Sequence, residues 1–147
     1  CEAACYYKQK KMTLWEAMLA IYEKYGYYKE KQFSITLKGV EGANQIKKMM
    51  ETMRQHPQEE IAGKKVISFG DYQLQKIYNM VTKQESNTNL PKSNVLYYEL
   101  EGDNWCCVRP SGTEPKIKFY MGTRASSLEE ADKMLEKIEN AIKKMIE

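Results

Sequence analysis

The sequence predicts an α+β domain of two layers, a mainly antiparallel sheet covered by two amphipathic helices. Three observations carry that expectation. From residue 32 onward the apolar residues alternate between period two and period 3.6, in the order strand, helix, strand, long loop, three strands, helix. Two of the later strands, 94–100 and 105–108, are joined by a tight turn in which Gly102-Asp103 supplies the turn residues. The strand-rich stretch is flanked by two helical stripes, an arrangement that favours helices on one side of a sheet. With 42% hydrophobic and 29% charged residues in 147, the chain has material for one packed core.

Each element has its own warrant. Cys1–Lys11 reads as a helix already under way, since no capping residue precedes it, and the chain is expected to be cut from a longer protein. Thr13 and Glu16 form a T-x-x-E capping box, and Leu14, Met18, Ile21 and Tyr25 then recur at helical spacing up to Gly26. Gly26–Lys31 reads as a connector, which divides the chain into a helical tail with its linker (residues 1–30) and a second domain (31–147). Phe33, Ile35 and Leu37 alternate with polar residues as in a half-buried strand. Glu41–Gln55 follows as a helix with Ala43, Ile46, Met50 and Met53 on one face, where the methionines are expected to fill the core. Lys65–Phe69 is a short strand. The stretch 73–94 is ambiguous: Leu74, Ile77 and Val81 have the spacing of a brief helix, and Gln84–Asn94 resembles a loop. Ile117–Met121 is the last strand. Ser126 and Ser127 with Glu129 and Glu130 offer two overlapping capping boxes for a final helix. Its stripe is Leu128, Ala131, Leu135, Ile138, Ile142 and Met145.

Composition narrows the function classes. No run of about 18 apolar residues exists, which rules out a transmembrane helix and gives no membrane partner. No charged-then-apolar leader is seen. The net charge of +3 is small, and the lysine pairs are dispersed, which argues against a nucleic-acid binder. Cys1, Cys5, Cys106 and Cys107 form no spaced framework, so the thiols are expected to be reduced, buried and structural, in the cytoplasm. The single histidine, His56, excludes a His-based triad or a multi-histidine metal site within the chain, and the three aspartates are scattered. No metal site is expected here.

One segment concentrates polar chemistry: Arg109-Pro110-Ser111-Gly112-Thr113-Glu114-Pro115-Lys116-Ile117-Lys118. Arg109 offers a planar fork of five donors suited to paired oxygens. Ser111 and Thr113 add hydroxyls, Gly112 lets backbone N–H groups approach a ligand, and the two prolines restrict the loop. Lys116 and Lys118 share a face of the following strand. Three cations, two hydroxyls and a turn in one small volume suit a phosphate group. An ordinary turn beside solvated lysines is the alternative on residue types alone. The spacing is not that of a Walker A loop.

RPSGTEPKIKFY resembles the C-terminal phosphate-binding loop of the α-D-phosphohexomutases, the phosphoglucomutase and phosphomannomutase family. LPKSNVL at Leu90–Leu96, the W-x-x-x-RPSGTEPK run from Trp105, and the SLEEA helix start at Ser127 are similar to the same domain. TLWEAMLAIYEKYGYYKEK at Thr13–Lys31 resembles the last helix of the third domain and its crossing into the fourth, nearest the bacterial phosphoglucomutase branch. The resemblance implies a fourth domain with a fold like the TATA-binding protein, preceded by the helical tail of the third. It implies that Arg109, Ser111, Gly112, Thr113 and Lys118, with Lys116 a weaker match, hold the non-transferred phosphate of a hexose phosphate. It further implies a whole enzyme that interconverts glucose 1-phosphate and glucose 6-phosphate through a phosphoserine, with Mg²⁺ and a sugar bisphosphate activator. Mannose or pentose phosphates are alternative substrates within the family, and a free-standing nucleic-acid or anion-binding module is the alternative outside it. The phosphoserine, metal and sugar-reading loops have no counterpart here. The chain is therefore expected to bind no metal or activator itself, to be inactive alone, and to need the N-terminal domains as partners.

Overall fold

A computed structural model describes residues 1–146. Two helices open the chain, α1 (Glu2–Gln9) and α2 (Leu14–Tyr25). The capping box of α2 is complete. Thr13 Oγ1 accepts from the Glu16 amide at 3.1 Å, and the Glu16 carboxylate accepts from the Thr13 amide at 2.7 Å. Gly26 ends α2 with φ at 102°, a backbone that L side chains rarely adopt. Neither helix contributes much to the core. Helix α1 has no buried residue and α2 has one, Ala17. Leu14, Trp15, Met18, Ile21 and Tyr25 stand exposed on α2. Cys1 and Cys5 are exposed as well, contrary to the expectation of buried thiols, because nothing packs over α1.

Sheet begins at once after Gly26. Tyr27–Lys31, expected as a connector, is the first half of a ten-residue strand, β1 (Tyr27–Thr36). The period-two pattern is hidden there because two positions on the helix-covered side are lysines. Lys29 pairs with Asp132 at 2.5 Å and Lys31 with Glu139 at 2.6 Å, so helix carboxylates replace apolar contacts. Helix α3 (Gly39–Gln55) follows. It buries Ile46, Met50 and Met53 as expected, but Ala43 is exposed and Gly42 takes the buried position against Leu37. His56 lies exposed at the helix end, its amide bonded to the Thr52 carbonyl.

The remaining strands are β2 (Glu60–Ile61), β3 (Lys64–Asp71), β4 (Lys76–Asn79), β5 (Glu85–Asn87), β6 (Leu96–Leu100), β7 (Asn104–Pro110) and β8 (Lys116–Ala125). They form one sheet in the order β1-β8-β7-β6-β3-β4-β5, with β2 beside β3. Every pairing is antiparallel. The brief helix over 74–81 is not formed. Pairing with β3 overrides the local spacing: Tyr78 lies opposite Phe69 and stacks on it at 6.1 Å, while Leu74 and Val81 are exposed. At the β6–β7 turn Gly102 and Asp103 both take positive φ, 79° and 57°.

Helix α4 (Leu128–Met145) closes the chain. The second of the two candidate boxes sets its start, and only its Ser127 half is formed. Ser127 accepts from the Glu130 amide at 3.2 Å, and the Glu130 carboxylate reaches back to Ser126. Leu135, Ile138 and Ile142 of α4 meet Ile46, Met50 and Met53 of α3 in one core with Phe69, Leu96, Tyr98, Val108, Ile117 and Phe119 of the sheet. Each such large side chain contributes on the order of 1.5–3 kcal/mol by leaving water. Both helices therefore cover the same face, and the other face of the sheet stays open.

Candidate functional site

The open face and the β7–β8 loop carry the candidate residues. Strand alternation sends Val108 into the core and Arg109 to the open side. On β8 it buries Ile117 and Phe119 and turns Lys116, Lys118 and Tyr120 outward. The register then puts Arg109 directly opposite Lys118. Two cations are thereby held as neighbours by the ladder itself. Neither of them, nor Lys116, forms an ion pair among the described residues.

The loop is closed by its own backbone. The Ser111 amide donates to the Lys116 carbonyl at 2.7 Å, and the Lys116 amide to the Glu114 carbonyl at 2.7 Å. The Pro115 carbonyl accepts from the Leu37 amide at 2.9 Å, which ties the loop to the β1–α3 corner. The Thr113 amide approaches Ser111 Oγ at 3.4 Å. Gly112 needs no left-handed backbone, and a Cβ built on it would touch nothing within 4 Å. The fold does not require a glycine there. What the missing side chain does is leave room at the loop's mouth.

Arg109, Pro110, Ser111, Gly112, Thr113, Lys118 and Tyr120 enclose a pocket of about 290 Å³. Five of the six residues expected at the site thus converge on one cavity. The sixth, Lys116, shares the face but does not line the pocket, since it lies beyond Lys118 beside Thr36 of β1. Glu114 is exposed and faces a different space, a cleft of about 710 Å³ between the loop and α3. Its carboxylate therefore leaves the small pocket free of negative charge. Cys107, opposite Tyr120, does the same: burial pushes its thiol up to about 11 although Arg109 draws it down, so it stays neutral at physiological pH. Sequence reasoning missed Tyr120. Its position two residues beyond Lys118 on an outward-facing row was the available signal.

Chemically, then, the molecule is a two-layer α+β domain whose hairpin loop presents two unpaired cations and two hydroxyls to one small cavity. Residues 73–141, which include the whole loop, match the family model described as phosphoglucomutase/phosphomannomutase, C-terminal domain. That segment is thus similar to the C-terminal domain of the phosphoglucomutase/phosphomannomutase family. It is 37% identical over 118 residues to the phosphoglucomutase of Staphylococcus aureus strain bovine RF122 / ET3-1, and 36% to that of strain MSSA476. These alignments cover 80% of this chain but only 21% of the relatives' length. Among solved structures, the open form of parafusin, a phosphoglucomutase from Paramecium, shares the fold with a TM-score of 0.55 at 16% identity. The match spans 95% of this chain and 24% of parafusin.

Proposed function

We propose that this chain supplies the phosphate-holding part of a phosphoglucomutase-like enzyme, gripping the phosphate that is not being transferred while another part of the protein does the chemistry. The observation that carries this reading is the pairing of Arg109 with Lys118 across the β7–β8 ladder, unneutralised and beside the hydroxyls of Ser111 and Thr113. Unpaired cations on adjacent strands repel one another, and a dianion between them removes that repulsion. In the whole enzyme a phosphoserine would exchange its phosphoryl group with glucose 1-phosphate or glucose 6-phosphate, and the loop would hold the opposite end. Its contribution is positioning rather than proton transfer. A sugar bisphosphate would engage the same loop. In the whole enzyme Mg²⁺ would act at the phosphoserine, outside this chain, and no step proposed here runs through it.

The test is an NMR titration of the 147-residue chain with inorganic phosphate at low ionic strength, where screening is least. The site is open to water, so a dissociation constant on the order of millimolar is expected, about −4 kcal/mol. Shifts should centre on residues 109–118. Arg109→Ala should remove charge-assisted bonds of roughly 1.5–3 kcal/mol and abolish measurable binding. Arg109→Lys keeps charge but loses the fork, and with it most of the affinity. Shifts spread over the Lys47-Lys48 and Lys143-Lys144 faces that survive Arg109→Ala would defeat the proposal.

A further inference from the structure

Tyr120 lines the same pocket as Arg109 and Lys118, and nothing so far gives it a role. It is half-buried, and its hydroxyl has no hydrogen-bond partner among the described residues. A tyrosine that only packs against the sheet has no need of a hydroxyl. Along β8 it stands two residues from Lys118, about 7 Å at the rise of a strand. That is comparable with the reach from a phosphoester to the ring of the sugar it carries. The neighbouring surface is built to match. One register step further, Gly122 carries no side chain, and the Trp105 indole lies across it in the space a Cβ would take. Trp105 in turn stacks on Tyr97 at 5.9 Å. Lys118 thus marks the start of a row that runs from charge to aromatic surface. Across the ladder, exposed Gln32 and Ser34 of β1 stand opposite Tyr120 and Lys118, adding neutral polar groups at the same level.

We infer that Tyr120 makes this pocket select a phosphoester that carries a sugar over one that does not. The ring is the platform for the apolar face of a pyranose, and the hydroxyl bonds to a sugar hydroxyl. This rests on the reading of the pocket as a phosphate site. It assigns the second half of the ligand, which the loop residues leave unspecified. Tyr120 is a specificity-determining residue here, not a catalytic one.

The experiment compares two monoesters of equal charge, methyl phosphate and glucose 6-phosphate, by NMR titration of the intact 147-residue chain and its variants. Glucose 6-phosphate should bind the unmodified chain about tenfold more tightly, the combined effect of one hydrogen bond and one stacked ring. In Tyr120→Ala the two affinities should fall within about twofold of each other. Tyr120→Phe, which keeps the platform and loses the hydroxyl, should retain about threefold preference, and it guards against a folding defect in the alanine variant. A preference that survives Tyr120→Ala, or no preference in the unmodified chain, overturns the inference while leaving the phosphate site intact. If methyl phosphate fails to bind, or binds independently of Arg109, the phosphate reading itself fails and the inference falls with it.

Discussion

Gly112 shows how a single residue separates folding from function. Its backbone is ordinary and a methyl group would meet no neighbour, so Gly112→Ala should leave stability within about 0.5 kcal/mol of the unmodified chain. The same methyl would stand at the mouth of the pocket between Ser111 and Thr113. Phosphate binding should therefore weaken several-fold with no change in the urea midpoint. Equal losses in both, measured side by side, would mean that the glycine is structural. The loop was legible in the sequence because its chemistry is local: Arg109, Ser111, Gly112 and Thr113 are almost contiguous. Tyr120 lies outside that run: strand alternation puts it on the row of Lys116 and Lys118, but only the fold shows that the pocket reaches that far along β8. Glu114 belongs to the same run, yet it faces the open cleft beside α3 and not the pocket. A residue's direction inside a turn is set by backbone angles that residue type does not determine.

At the scale of elements, the two capped helices should respond differently to the same kind of change. Removing a capping hydroxyl costs about 1 kcal/mol. Helix α4 holds Leu135, Ile138 and Ile142 in the core, so Ser127→Ala should lower global stability by about that amount in urea denaturation. Helix α2 buries only Ala17, so Thr13→Ala should leave the global midpoint unchanged and instead speed hydrogen exchange within Leu14–Tyr25. A global loss from Thr13→Ala would show that α2 is more tightly coupled to the sheet than its exposed face implies. Both helices were readable from caps and periodicity, because those signals are local. The failures came where partners distant in sequence decide the outcome. Lysines on the helix-covered side of β1 find carboxylates on α4, and Tyr78 finds Phe69, and neither pairing leaves a mark in its own segment.

For the whole molecule, the buried acids on the sheet set an alkaline limit. Burial pushes the Cys106 thiol up to about 12 and the Tyr97 phenol up to about 12, from ordinary values of 9.0 and 10.0. Each stabilises the fold only while neutral. That contribution is complete below the unfolded pKa and is lost as pH rises through the folded one. Stability should hold to about pH 9 and then fall progressively toward pH 12. Cys106→Ala should flatten the first part of that decline, at a cost of about 1 kcal/mol near neutrality for the small void it leaves. An unchanged alkaline profile in that variant would assign the decline to Cys107 and Tyr97.

The sheet order has a kinetic consequence. Strands β6, β7 and β8 are consecutive in sequence and adjacent in space, and the candidate pocket is built within one hairpin of that set, β7–β8. Strand β1, by contrast, must find β8 from the far end of the sequence, pairing Tyr27 with Ala125. Closing that long loop is entropically expensive and brings no reward until β8 is in place. The pocket should therefore assemble first and β1 dock late. Truncating Val108 to Ala should slow folding, with a φ-value of about 0.5 or more, whereas Ile35→Ala should chiefly speed unfolding, with a φ-value below about 0.3. The reverse order of φ-values would show that β1 joins the nucleus. If it docks last, it is also the strand that leaves first. The edge beside Lys118 would then be the part of the molecule that opens most often, uncovering β8 without disturbing Arg109.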